Sequence, residues 1–301
     1  MHNPRHNEHH GGSDGFFGLF ECADDPAAAQ ALFSAAGDWL RERGLTSMLG
    51  PVSFSTNGEC GSLVEGFSSP PAVLMPYNPP YHQNLLESCG FTKAKDLWAW
   101  EWTPDTPESP VVNRIANRAA NRGDLSIRQL DLNAFEAETE RLWDVYSEAW
   151  EQNWGFVPPT RREFRHLAKE LARIARPDLL LVAEVDGAPA ALCLTVPDAN
   201  RILKAAGGRL TRFGFPIGLL RAALAARKIN RCRLIALGVK AQYRGRGLDA
   251  LLVTHLARIG RRIGWSCELS WVLEDNRAMN SAIAKMGAQR TKTYRIYQRA
   301  L

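Results

Sequence analysis

The segment Val239-Lys240-Ala241-Gln242-Tyr243-Arg244-Gly245-Arg246-Gly247-Leu248 sets two glycines and two arginines between an apolar run and an amphipathic one. Glycine permits positive φ and a close approach of backbone to a ligand. The N–H groups that open a helix point outward, and the helix dipole favours an anion there. Arg244 and Arg246 add positive charge. This chemistry fits a pyrophosphate cradle; the plain alternative is an ordinary glycine-containing loop. Further on, Glu268, Ser270 and Glu274 alternate along one face of a strand and its extension. Trp143, Tyr146, Trp150 and Trp154 recur at spacings of three and four, as a core-facing stripe of a helix does.

These residues need a scaffold, and the chain order supplies one. The second half reads as strand (Leu125–Leu130), helix (133–152), helix (160–176), strand (Leu179–Val185) and strand (Pro189–Val196), with a hairpin turn at Asp186-Gly187. A helix over Phe213–Ala226, a strand over Arg233–Val239, a helix over Leu248–Ile263 and a strand over Cys267–Leu273 follow. A helix over Arg277–Met286 and a strand over Lys292–Gln298 end the chain. The first half gives strand Gly15–Glu21, a helix from Asp24-Asp25-Pro26 to Gly44, strand Ser47–Val52, a short helix ending at Cys89-Gly90-Phe91, and strand Leu97–Trp102. The polar, proline-rich Thr103–Pro110 is the linker candidate, followed by a basic amphipathic segment, Val111–Arg122. The halves share a loose pattern, Gly90-Phe91 corresponding to Gly287-Ala288, which reads as a weak internal repeat. The expected division is 1–103, a linker over 104–124, and 125–301.

Gln242-x-x-Gly245-x-Gly247 after a strand resembles the Gln/Arg-x-x-Gly-x-Gly/Ala signature of the GCN5-related N-acetyltransferases, the GNAT superfamily. Asn276 after the next strand, with Gly287-Ala288 eleven residues later, resembles that family's second motif. The resemblance covers 125–301 and implies an α/β fold with a mixed sheet, complete in the second half. The first half resembles a partial, degenerate copy without the Gly-x-Gly loop, expected to bind no coenzyme A. It either completes the acceptor cleft or serves as scaffold.

The resemblance implies acetyl-CoA or a related acyl-CoA as cosubstrate. Its pyrophosphate would meet the backbone amides of Arg244, Gly245, Arg246, Gly247 and Leu248, with Gln242 in the same loop. Its pantetheine would run beside Leu237, Gly238 and Val239 as an added strand, with Asn276 near that arm. Transfer to an amine needs a base, a dipole on the thioester carbonyl, and an acid for the departing thiolate. The family's usual tyrosine position holds Ile283 and its usual carboxylate position holds Trp271, and neither can act. Glu274 is therefore the candidate base, and Tyr294 (or Tyr297) the candidate acid. A loop ion pair and sheet packing are their bland roles. The amide of Val239 is the candidate carbonyl polariser. The aromatic stripe is either core or an acceptor pocket, with Asn153–Phe156 as a loop over it.

The chain has 301 residues and a formal charge of +5, with an isoelectric point near 9.0. That excess suits anionic ligands. No basic tract with interleaved aromatics exists, so nucleic acid is not an expected partner. Six cysteines at no CxxC spacing read as reduced thiols in a cytoplasmic protein. His2, His6, His9 and His10 lack a metal-site frame, so no metal is expected, and this start reads as flexible or extended. It lacks the apolar stretch of a signal peptide. No apolar run is long enough to span a membrane. Phe213–Ala226 reads as a helix bridging the halves, a lid over a long acyl chain, or a helix dipping into a membrane surface. The expected activity is acetyl or acyl transfer from acyl-CoA to a small-molecule or peptide amine, in a possible homodimer. The alternatives are an aminoacyl-tRNA- or long-acyl-donor-dependent transferase and a non-catalytic coenzyme A-binding module.

Overall fold

The computed structural model describes residues 1–53, 55–211 and 214–301. The first half runs α1 (Pro4–His10), β1 (Asp14–Phe16), α2 (Pro26–Arg41), β2 (Ser47–Gly50), β3 (Ser62–Glu65), α3 (Tyr81–Ser88), β4 (Thr92–Trp102) and α4 (Pro110–Ala120). The second runs β5 (Leu125–Gln129), α5 (Phe135–Trp150), α6 (Arg161–Ala172), β6 (Leu180–Val185), β7 (Ala188–Pro197), α7 (Asn200–Ala206) and α8 (Ile217–Ala226). It closes with β8 (Arg231–Val239), α9 (Leu248–Ile263), β9 (Ser266–Leu273), α10 (Arg277–Lys285) and β10 (Gln289–Ala300).

Period-two alternation builds the layers of the second half. Leu181, Ala183, Ala191 and Cys193 point to one face and pack with Leu252 and Leu256 of α9. Val182, Leu192 and Ala236 point to the other and meet Leu142 and Val145 of α5 and Phe164 of α6. A strand buried on both faces needs apolar residues at consecutive positions, and β6 is buried throughout. The hairpin turn between β6 and β7 carries positive φ at Asp186 and Gly187, the pairing a two-residue turn demands.

All ten strands join one mixed sheet in the order β1-β2-β10-β4-β9-β8-β7-β6-β5, with β3 pairing β10 off this path. The middle of that order crosses the two halves. β4 of the first half pairs antiparallel with β9 of the second. β10 of the second pairs antiparallel with β2 and with β4. Outside this exchanged pair, β1 lies parallel to β2 and β8 parallel to β9. The parallel units β1-α2-β2 and β8-α9-β9 thus meet through β10 and β4, strands that each follow one unit in the chain and lie next to the other in the sheet. Segment 104–124 holds α4.

The histidine-rich start is helical, where the sequence suggested a flexible or extended segment. Asn3 caps α1 and Gly11 ends it in the left-handed conformation. His6 packs edge-on to Phe16 at 4.8 Å, and Arg5 reaches Glu163 of the second half at 2.8 Å. Contacts distant in sequence, which local periodicity does not carry, fix this helix. The position Phe213 of the apolar segment lies outside the described residues. The helix itself covers Ile217–Ala226, and only Gly218 among its residues is buried.

Candidate active site

The site opens where two parallel strands part. β8 and β9 pair only from Arg231↔Ser266 to Leu234↔Leu269. Beyond that point β8 remains paired to β7 as far as Ala191↔Val239, with a bulge near Ile235. The far edge of β8 therefore faces no strand over its last residues. Lys240 donates its N–H to Ala190 O on the β7 side. Successive N–H groups of a strand point to opposite edges, so the N–H of Val239 faces the gap left by β9.

A cavity of about 780 Å³ fills that gap, within the range of ligand sites. Leu237, Gly238, Val239, Arg244 and Asn276 line it. Asn276 also caps α10, accepting from Met279 N at 3.1 Å. The cradle loop stands at one end. Gly245 (φ +75) and Gly247 (φ +81) are both left-handed. A Cβ on Gly245 would meet nothing within 4 Å, whereas one on Gly247 would meet Ile115 Cγ2 of α4 at 2.9 Å. So the loop shows an open backbone at Gly245 and is closed by α4 at Gly247. The N-terminus of α9 has no side-chain cap. The matching helix of the first half, α2, is capped by Asp25, which accepts from Ala27 N and Ala28 N at 2.8 and 3.2 Å. A carboxylate there occupies the place of an anion and repels one. Arg244 donates to Ala149 O at 3.1 Å, and Arg246 pairs with Asp124.

The remaining walls come from both halves. Tyr146 and Trp150 of the aromatic stripe line the cavity, their rings 4.9 Å apart. Burial pushes the Tyr146 phenol up to about 12. Trp150 covers Gly238, where a Cβ would lie 2.4 Å from its ring. The other two stripe members diverge: Trp143 donates to Pro159 O, and Trp154 packs with the first-half core. Opposite, Thr56, Asn57, Gly58 and Glu59 enter from the first half. Thr56 donates to Gly155 O at 2.6 Å, and Asn57 to Val157 O at 2.8 Å. The wall towards α6 is aliphatic, with Leu167, Ala168 and Leu171.

A buried charged cluster adjoins the cavity, and its members Arg233 and Ser270 are part of the wall. Arg233 donates to Ser270 Oγ at 2.9 Å and to Val73 O at 2.7 Å. Ser270 donates to Glu268 at 2.8 Å, and Glu268 also accepts from Arg231 at 2.8 Å. Lys292 stands 3.7 Å from Glu268, and both are buried. Tyr294 is fully buried near this cluster. Burial first, and then the Glu268 carboxylate, push its phenol well up. Its hydroxyl has no hydrogen-bond partner among the described residues, and it does not line the cavity. Burial likewise pushes Tyr297 up to about 12.

Glu268 and Ser270 share a face as the alternation suggests, but Glu274 turns away. Its two oxygens meet Lys93 Nζ at 2.6 Å and Asp96 N at 3.0 Å on β4, and it lies outside the cavity wall. The exchanged strand explains this: nothing in local sequence puts β4 beside β9. Glu59, which sequence reading passed over, does line the cavity. It is exposed and forms no ion pair among the described residues. Its neighbour Cys60 is buried, which pushes that thiol up to about 12 and makes it a poor nucleophile. Among the described residues no group of three metal-ligating side chains gathers.

The parted parallel pair and the glycine-containing loop beside it form the candidate site. The sequence of residues 139–288 matches the family model described as Acetyltransferase (GNAT) family. The chain belongs to this family. It is 38% identical over 298 residues to the bacterial ceramide synthase of Caulobacter vibrioides, covering 96% of this chain and 76% of that protein. It is 33% identical over 303 residues to protein YghO of Escherichia coli, covering 98% of this chain and 76% of that one. Among solved structures, a GCN5-related N-acetyltransferase from Sphaerobacter thermophilus matches with a TM-score of 0.50 at 15% identity. That match covers 90% of this chain and 67% of that one.

Proposed function

We propose that the protein transfers a long fatty acyl group from acyl-CoA to the amine of a long-chain amino alcohol, forming an amide. The single observation that carries this reading is the 780 Å³ cavity between β8 and β9, walled largely by aliphatic and aromatic side chains. Beyond the strip along β8 that a pantetheine arm would fill, the apolar wall suits an alkyl chain. Each buried methylene of a longer chain contributes about 0.8 kcal/mol. The likeness to a bacterial ceramide synthase supports it, a ceramide being an amide of a fatty acid with a long-chain amino alcohol. The sequence alone put acetyl or acyl transfer to an amine first and a long-acyl-donor-dependent transferase among the alternatives.

In this account the loop from Gln242 to Gly247 and the first amides of α9 hold the pyrophosphate. The free edge of β8 at Leu237–Val239 takes the pantetheine, and the N–H of Val239 polarises the thioester carbonyl. Glu59, rather than the ion-paired Glu274, accepts the proton of the attacking ammonium. The amine nitrogen then bonds to the carbonyl carbon and gives its second proton to solvent, the C–S bond breaks, and the departing thiolate takes a proton from solvent to leave as coenzyme A thiol. No side-chain acyl intermediate is needed, consistent with the protonated state of Cys60. The test is mass spectrometry of the product from palmitoyl-CoA and a long-chain amino alcohol. An amide with the mass of the amino alcohol plus palmitic acid less one water supports the reading. Hydrolysis alone, or no reaction by folded protein, ends it.

A further inference from the structure

A helix apolar on every side is normally buried, yet α8 is not. In the sequence IGLLRAALAA only Gly218 is buried. Leu219, Leu220 and Leu224 are 56%, 62% and 51% exposed, and Leu203, Leu210 and Phe215 beside them are 64%, 61% and 67% exposed. The hairpin is nonetheless built, since Leu219 N donates to Leu210 O and a Cβ on Gly218 would overlap Arg209 O. An exposed apolar patch of this kind marks an interaction surface.

Its charge selects the partner. Residues 200–230 contain seven Arg or Lys and no Asp or Glu. Arg201, Lys204, Arg209, Arg221, Arg227 and Lys228 are exposed. Large apolar side chains set among cations and free of acids suit the headgroup boundary of an anionic bilayer. At ten residues α8 is roughly 15 Å long, half of what spanning needs. Among the described residues no helix is long and apolar enough to cross a membrane.

We propose that the α7–α8 hairpin docks on the surface of an anionic lipid bilayer. The root of the hairpin is tied to the rim of the cavity. Asp198 accepts from Val73 N at 2.9 Å, and Asn200 donates to Pro71 O and Ala72 O at 3.1 and 3.0 Å. The next residue, Leu74, is half exposed and lines the cavity. Docking therefore brings that rim to the depth at which lipid chains leave the bilayer. The proposal does not rest on the acyl-transfer reading, because binding is measured without turnover.

The test is flotation of the full chain with vesicles of phosphatidylglycerol and phosphatidylcholine, against phosphatidylcholine alone. The wild type should float with the anionic vesicles and at least about tenfold less with the neutral ones. Leu219→Glu/Leu220→Glu/Leu224→Glu, with circular dichroism unchanged, should stay unbound. Arg209→Gln/Arg221→Gln/Arg227→Gln/Lys228→Gln should bind at least about tenfold more weakly, and it carries the test should the leucine variant not fold. Absence of flotation by the wild type, or equal flotation of the variants, overturns the proposal. So does a dimer, seen by sedimentation without vesicles, that the leucine variant dissociates, since a second copy would then cover the patch.

Discussion

Thr56 of the first half, which lines the cavity, donates its hydroxyl to the carbonyl of Gly155 in the second, at 2.6 Å. Gly155 has φ +70, and a Cβ there would meet Thr56 Cγ2 at 2.8 Å. The first half thus contributes to the cavity wall. Thr56→Val leaves a buried carbonyl unpaired, which costs about 1–3 kcal/mol. It should lower the melting temperature and raise KM for long-chain substrates several-fold. A variant with unchanged KM would remove the first half from the site.

The cradle prediction uses Gly245, because its Cα faces open space. Aspartate tolerates the left-handed conformation better than most residues. Gly245→Asp should keep the fold and weaken coenzyme A binding by at least about tenfold, which is ~1.4 kcal/mol. Calorimetric titration reads this directly. Unchanged affinity would move the pyrophosphate elsewhere.

Glu59→Gln and Glu274→Gln separate two roles for a carboxylate. The first should lower kcat by about 10²-fold or more, leaving stability within about 0.5 kcal/mol, as expected of an exposed side chain. The second should lower stability, because Lys93 and the Asp96 amide lose their acceptor, with kcat largely kept. The opposite pattern would restore Glu274 as the base.

Acid should loosen the exchanged strands. Burial works against the Asp96 charge, but hydrogen bonds from Arg295 and Lys93 outweigh it and hold its carboxyl below the usual range. A depressed folded value means stability that is present above the unfolded value, about 3.9, and is lost as pH falls through the folded one. Asp96 joins β4 to β10 through Arg295 at 2.7 Å. Melting temperature should therefore fall below about pH 4, and Asp96→Asn should flatten that fall. An equally steep fall in the variant would assign it to other carboxylates.

What was legible in the sequence is what local patterns carry. Apart from α7, which the sequence reading did not contain, the order of strands and helices in 125–301 follows from periodicity, turn residues and helix starts; α9 spans Leu248–Ile263 as expected. What was not legible depends on strand exchange. Glu274 looked like a base because β9 alone was in view, whereas its partners Lys93 and Asp96 arrive on β4. Tyr294 was a candidate acid as a tyrosine of the last strand, but β10 lies between β2 and β4, one strand removed from β9. Glu59 carried no signal, since its loop is tied to the cavity by contacts distant in sequence, with Gly155 and Val157.

The central claim is that the space between β8 and β9 holds a long acyl chain. The direct measurement is kcat/KM for palmitoyl-CoA against acetyl-CoA with one long-chain amino alcohol. Burial at about 0.8 kcal/mol per methylene predicts that palmitoyl wins by at least about a thousandfold. Equal values, or a preference for acetyl, would contradict it.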